Sequence, residues 1–567
     1  FLSYSTSFYE PLRRLTEVDN IFQQAIAAGE RIFELLDQHP EIHSKPDAVV
    51  LDEIDGEVSF EHVSFRYEDV GLIRLLPRKT LEPNGQVMAG PSNAFVVRPF
   101  ALRVSADGNP GAVNASGGIY TTAGVPFTSR VAAVLWASAD DADADGVADG
   151  HDDDDPTNNA DLSGNTVAPN FGNEDGGGES AGLSASLQLP SGGNNPGLAA
   201  GDVIAGFSGG EGANSGTRFD EVGIIELRSA IEDGQYLGLG SGETSLIAGR
   251  SGYVGRFVPD RFTTTVSSPS TGELAPACTA GGTDFSYTGQ AFGYVISPSF
   301  TATARPATGA SLALTSNYTG AFNKLTGGGL SADIDTTGTD GNSGLTWDRT
   351  PGTLDVADNG DGTTDIALDG DSFVYDKTQP GAEIAPFAPA IDIDVNSYGD
   401  GDGVSAADTP TPMPVDGSAT EIRYGRLALT NAYGSEMLPL EMPVAAEYFD
   451  GDGYIVNGAD ACTTYDAASV TFENFEGDLS SGDVAAYGNG TLTGGVADPA
   501  NPLVIGGSSG AGNGPGQSGG VDAVLSVPPY LRYDWDAAAV GLEDPRGRAN
   551  FGIYRGSRNV IYQRELY

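Results

Sequence analysis

The chain holds 567 residues, with 78 Asp and Glu against 28 Lys and Arg and a formal net charge of −50. A polyanion of that size is repelled by polyphosphate instead of gaining by counterion release, so general nucleic-acid binding is excluded, and docking on an anionic membrane face is disfavoured. The length allows three or four domains of roughly 100–200 residues each, and 80 glycines with a 39% apolar share describe a turn-rich chain too apolar for wholesale disorder.

The four histidines are His39, His43, His62 and His151. A Ser-His-Asp or His-rich metal centre beyond the first 62 residues would have to use His151 alone, which sets that class aside. Cys278 and Cys462 are too few for a Cys-rich zinc module; they make one long-range bridge if the chain is exported, or two unpaired thiols if it is not. No stretch approaches the ~20 apolar residues of a membrane-crossing helix, and no charged-then-apolar leader is visible. Residue 1 is Phe, so the text is read as starting inside a longer frame and the native start is left open.

Composition divides the chain into two unlike pieces. In the first, Leu12, Leu15, Val18, Ile21, Phe22, Ala25 and Ile26 recur at three- and four-residue steps, and Ile32, Phe33 and Leu36 continue them. This spacing predicts one amphipathic helix of about 25 residues. Pro11 suits its first turn and Pro40 lies past its end. After Asp55-Gly56, Val58 and Phe60 alternate, as do Val63, Phe65 and Tyr67, which predicts a short β-hairpin. The phrase PLRRLTEVDNIFQQAIAAGERIFELLDQHPEI resembles the cytoplasmic end of the last membrane helix of ABC exporters of the lipid-flippase type, and GEVSFEHVSFRYED resembles the opening strands of their nucleotide-binding domain. The resemblance spans residues 1–70 and implies that Tyr67 matches the aromatic that stacks on adenine. A phosphate cradle needs G-x-x-x-x-G-K-[ST], so that backbone N–H groups and the Lys grip the phosphates together. Gly-Lys occurs nowhere in the chain, and LSGN at 162–165 is only a fragment of the ABC signature. The expectation is a truncated exporter remnant, inactive toward ATP, joined through a junction at 71–93 to an unrelated reading frame.

The second piece reads as β. RVAAVLW (130–136), FTATA (300–304), SLALTSNY (311–318), IRYGRLAL (422–429) and VLSVPPYLRYDW (524–535) are short runs between Gly, Pro, Asn and Asp clusters. One further helix is expected at DEVGIIELRSAIEDG (220–234). The predicted fold class is mainly β, a multi-domain β-sandwich-like architecture with calcium-loop insertions, divided at 94–262, 263–420 and 421–567.

The densest local chemistry is DADADGVADGHDDDDP (141–156). With Asp141 at position 1, Asp143, Asp145, the Val147 carbonyl, Asp149 and Asp152 fall at positions 3, 5, 7, 9 and 12 of a calcium loop, and Gly146 sits at the sharp turn. Hard oxygen donors at alternate residues converge on one Ca²⁺. Without flanking helices, a thrombospondin-like loop is the closer comparison, and a solvated acidic linker is the alternative. Asn359, Asp361 and Asp365 form a weaker copy, as do Asp400 and Asp402; ordinary Asp/Gly turns are favoured for both. Tyr533, Trp535, Tyr554 and Tyr562 are candidates for a ligand shelf, with core packing favoured. GGGES (176–180) and GGSSGAGNGPGQSGG (506–520) read as tethers.

Several phrases of this second piece stand in an order that resembles the large C-terminal domain of MshQ-type proteins, encoded with machinery of the mannose-sensitive haemagglutinin (MSHA) type IV pilus. They are RPFALRV (98–104), GRFVPDRF (255–262), FSYTGQAF (285–292), NYTGAF (317–322), RYGRLALTNAYGSEMLPLEMPVAAEY (423–448), NGADACTTY (457–465) and FGIYRGSRNVIYQREL (551–566). The resemblance spans about residues 94–567 and implies a non-catalytic surface or secreted protein of pilus biogenesis or adhesion. Its implied partners are pilus or cell-surface components and glycans. Because Cys278 and Cys462 both lie in such phrases, the resemblance also favours a disulfide. The exporter-like segment, read alone, suggests an ATP-driven exporter at the inner membrane. A secreted carbohydrate-active enzyme is a second alternative, although no acid/base pair can be named among 78 acids.

Overall fold

The computed structural model describes residues 2–37, 67–81, 86–151, 155–174, 178–266, 272–280, 282, 284–308, 313–377, 382–535 and 541–552. It divides into two units, Phe1–Arg66 and Tyr67–Tyr567.

The first unit is described over one helix, α1, which spans Leu2–Leu36. It is longer than the apolar periodicity alone predicts, and Pro11 lies inside it instead of in its first turn. The expected hairpin at Val58, Phe60, Val63 and Phe65 lies outside the described residues, as does Pro40.

The second unit is mainly β, in short strands joined by turns. Its first layer pair begins with a three-stranded sheet in the order Glu211–Thr217, Phe127–Val134, Ala101–Ala106. A five-stranded sheet carries Ala248–Val258, Gly223–Ile231 and Ala181–Leu189 at its centre. Leu102, Val104 and Val131 from one sheet and Leu183, Leu227 and Val254 from the other share a single core, the arrangement of a β-sandwich. A second core gathers Phe262, Phe300, Ile366, Trp347, Phe373 and Ile391, and a third gathers Leu427, Val444, Ile505, Val521 and Ala549.

The segment 220–234 corrects a sequence expectation. Gly223–Ile231 is a strand, paired antiparallel on both sides, and Ile224, Ile225 and Leu227 are fully buried. A central strand covered on both faces loses its alternation, so its apolar run resembles a helix until cross-strand pairing settles the matter. SLALTSNY is corrected the other way: its described part, 313–318, is a turn. There Asn317 donates from Nδ2 to the carbonyls of Asn194 and Val222 at 2.8 and 3.0 Å. VLSVPPYLRYDW is a strand only up to Leu525; Pro528 then caps a single 3-10 turn, Pro529–Leu531. Proline cannot donate to a ladder, and the pair ends it.

The third core is not built from one stretch of chain. Phe285–Tyr287 pairs in parallel with Glu421–Arg423, and Cys278, Phe285 and Tyr287 are buried among C-terminal residues. Gly425 permits this insertion: a Cβ there would lie 2.1 Å from Cδ1 of Tyr287.

Candidate metal centre

The strand Phe127–Val134 leads through Leu135 and Trp136 into the acidic loop. Residues 141–149 cannot pair with a neighbouring strand, so backbone amides turn to side-chain carboxylates. Asp141 is the pivot, 6% exposed; it accepts from Trp136 Nε1 at 2.8 Å, from the Asp145 amide at 3.0 Å and from the Gly146 amide at 3.3 Å. Asp149 folds back over the loop, and its two carboxylate oxygens accept from the Ala142 amide at 3.1 and 3.2 Å. Gly146 has φ +83°, the left-handed turn that the spacing anticipates. Ala148 anchors the loop in a small apolar cluster with Phe100, Val134 and Leu162. From the other side Arg98 Nη2 donates to the Gly146 carbonyl at 2.9 Å.

Asp141, Asp143 and Asp149 each offer a carboxylate oxygen, and the three oxygens lie within 4.8 Å of one another. Among the described residues this is the one group of three or more His, Cys, Asp or Glu so placed. Asp145 stands apart from the triad, its Oδ1 accepting from the Val147 amide at 2.8 Å, and Asp152 lies outside the described residues. Three carboxylates are the donor set of a hard cation; they fit Ca²⁺ or Mg²⁺ and not a soft metal.

The weaker copies are engaged otherwise. Asn359 and Asp361 form the turn between the strands Thr353–Asp358 and Thr363–Asp369. There Asp361 Oδ1 accepts from the amide and hydroxyl of Thr363 at 3.0 and 2.6 Å, while Asn359 Nδ2 donates to that hydroxyl at 3.0 Å. Asp365 is on a strand and accepts from Thr301 Oγ1 at 2.5 Å. Asp400 is buried; Tyr318 donates to its Oδ2 at 2.7 Å, and the Asp402 and Val404 amides to its Oδ1 at 3.0 and 2.9 Å. Burial pushes that carboxyl up. Asp402 forms a two-point ion pair with Arg256. Among the described residues neither group forms a cluster of three or more His, Cys, Asp or Glu ligand atoms within 4.8 Å of one another.

Tyr67 packs edge-on against Phe95, ring centres 5.9 Å apart. Tyr533 and Trp535 meet in a T-shaped pair at 5.3 Å, and with Tyr454 they surround the Arg426 guanidinium at 4.8, 4.7 and 3.6 Å. That cluster is filled by the chain's own cation. Tyr554 and Tyr562 lie outside the described residues.

Cys278 and Cys462 form a disulfide across a sequence separation of 184, with Cα atoms 5.8 Å apart. Beside it is a buried polar network invisible to spacing arguments. Tyr287 donates to Asp460 Oδ2 at 2.8 Å and accepts from Asn457 Nδ2 at 2.7 Å, and Arg423 donates to the Asn457 side-chain oxygen. Burial and the adjacent Asp460 carboxylate raise the Tyr287 phenol well above its ordinary range. Asp460 also accepts from the amides of Cys462 and Thr463 at 3.0 and 2.9 Å. The phrase NGADAC holds Asn457, Asp460 and Cys462 together, which is the signal that sequence reading passed over.

Comparison with known proteins finds two kinds of relative. Over a short stretch the chain is 44% identical across 69 residues to the uncharacterized ABC transporter ATP-binding protein YknV of Bacillus subtilis, covering 12% of this chain and 11% of that protein. It is 35% identical over 96 residues to the ATP-dependent lipid A-core flippase of Syntrophus aciditrophicus, covering 17% and 15%. The chain thus spans only about a tenth to a sixth of the length of these relatives. Among solved structures, the adhesin InvE of Yersinia pseudotuberculosis aligns over 52% of this chain and 58% of its own at 14% identity and TM-score 0.17. InvD of the same organism aligns over 80% and 97% at 12% identity and TM-score 0.19; scores this low establish no common fold. The family models are decisive: the second, third and fourth domains of DUF6701 match residues 98–218, 221–423 and 423–566. Over this span the chain belongs to the DUF6701 family.

Proposed function

We propose that this chain works outside the cytoplasm as a non-catalytic surface or secreted protein of the pilus-associated, MshQ type. Its partners are cell-surface components and glycans. The observation that carries this reading is the Cys278–Cys462 bridge, since such a bond persists in oxidising compartments and is rare where glutathione keeps thiols reduced. The acidic, turn-rich composition and the DUF6701 domains accord with it. Cell fractionation with thiol trapping tests it: the chain is expected in the surface or secreted fraction with both cysteines oxidised. A cytosolic pool with reduced thiols refutes it. Deleting residues 98–566 is expected to reduce piliation or attachment, and unaltered pili and attachment would remove the pilus assignment.

In the same reading Asp141, Asp143 and Asp149 hold Ca²⁺, because carboxylates this close repel until a cation neutralises them. Affinity is expected in the extracellular range, about 10⁻⁴–10⁻³ M. Calorimetric titration of the full chain with CaCl₂ should give heat that Asp141→Asn abolishes, and Ca²⁺ should slow proteolysis in the 141–155 loop. No heat, with cleavage indifferent to EDTA, refutes the site. The exporter-like matches favour a second reading, an exporter fragment, but no Gly-Lys is present to grip a triphosphate.

A further inference from the structure

The helix α1 carries an apolar face that nothing described in its own unit covers. Leu15, Val18, Phe22, Ile32 and Leu36 are between 53% and 71% exposed. Ile21, Ile26 and Phe33 flank them and are exposed as well. Steps of three and four run without a break through Leu15, Val18, Phe22, Ala25, Gly29, Ile32 and Leu36, which are the successive a and d positions of three heptads. An apolar repeat of 3.5 residues is the pattern of a helix wound against another helix, because it keeps one seam facing the partner over many turns. At 35 residues α1 is ~52 Å long, enough for such a seam.

Two features choose the occupant. A helix lying in a membrane interface carries Lys and Arg on its polar side; α1 carries Glu10, Glu17, Asp19, Glu30 and Glu34 against Arg13, Arg14 and Arg31, a net negative charge. With Leu15 at a, Arg14 is the g position just before it and Asp19 the e position that follows; the next g–e pairs along the seam, Ile21–Ile26 and Ala28–Phe33, are apolar. In a parallel pair of identical helices Arg14 and Asp19 face each other across the seam, once on each side, so the sequence is complementary to itself in parallel register. Arg13 is accounted for within the helix, since its Nε pairs with Glu17 at 3.3 Å.

We infer that α1 is a parallel dimerisation helix whose partner is a second copy of this chain. Ala25 and Gly29 keep the middle of the seam narrow, and Gly29 has open space where a Cβ would be.

The test uses the full chain. Sedimentation velocity at micromolar concentration is expected to show twice the monomer mass for the wild type, and monomer for Phe22→Glu with Ile32→Glu. Circular dichroism checks that the β unit is intact in both. Arg14→Glu is expected to weaken dimerisation about tenfold by turning two attractive pairs repulsive, and adding Asp19→Arg should restore it. Because both native cysteines are in the disulfide, Val18→Cys places a single free thiol at a d position and should cross-link to its own copy on mild oxidation. A wild type that stays monomeric, a helix captured by phosphatidylcholine/phosphatidylglycerol vesicles in place of dimerising, or a charge swap that fails to restore association each overturns the inference.

Discussion

The Cys278–Cys462 bridge offers the largest predicted effect on stability. Replacing both cysteines with Ser reopens a loop of 184 residues in the unfolded chain. In the chain-entropy treatment, closure of a loop that long removes about 18 cal/mol/K from the unfolded ensemble, or about 5 kcal/mol at 25 °C. The folded state changes little, because the two segments are also held without the sulfurs. The Cys278 amide and carbonyl exchange hydrogen bonds with Phe285 at 3.0 and 3.1 Å, and Tyr287 binds Asp460 and Asn457 next to Cys462. The loss therefore falls on the equilibrium and not on native geometry. With a urea dependence of about 2 kcal/mol/M, the midpoint of the C-terminal core should drop by roughly 2–2.5 M, and dithiothreitol should bring the wild type to the same midpoint. A double mutant unfolding within about 0.3 M of the wild type would refute the reasoning. It would mean that the unfolded chain is already held compact by other contacts.

Three further outcomes follow from the buried polar groups. Glu226 is fully buried, accepting from Arg250 at 2.7 and 2.8 Å and from Arg228 at 2.9 Å; Glu226→Ala removes the carboxylate that neutralises the buried Arg250 and should cost about 3–5 kcal/mol in urea unfolding. Tyr287→Phe removes one hydrogen bond each from Asp460 and Asn457, both 0% exposed, and should cost about 1–3 kcal/mol in the same assay. Burial, then Glu174 and Asp233, push Glu179 up to about 7. Between its ordinary carboxylate range and that value the folded chain keeps a proton that the unfolded chain releases. Its contribution is therefore full at low pH and is lost as pH rises through about 7. Glu179→Gln should flatten the fall in melting temperature between pH 5 and 8, and a wild-type profile retained in the mutant would place the slope elsewhere.

Much of the fold was legible because local chemistry decided it. Apolar residues at three- and four-residue steps wrote α1, short β-branched runs between Gly and Asp clusters wrote the strands, and the Asp spacing at 141–149 located the acid triad. Where reading failed, a side chain answered to something distant. Ile224 and Ile225 read as helical because strands on both sides bury them, a fact held in residues 181–189 and 248–258. For Asp400 and Asp402 the favoured reading is an ordinary turn, but the spacing does not name their partners, Tyr318 and Arg256, far off in the sequence.

The chain's own text determined its class: an acidic, histidine-poor polymer without a triphosphate-gripping lysine, helical at its start and β thereafter. Tertiary structure alone decided that residues 278–287 belong to the C-terminal core, that Tyr287 needs a glycine at 425, and that Asp141, Asp143 and Asp149 converge among the described acids of one loop. The physical reason is range. Turn chemistry and apolar period act over a few residues, whereas a buried carboxylate is satisfied by whichever donor folding brings within about 3 Å, and separation along the chain does not constrain that choice.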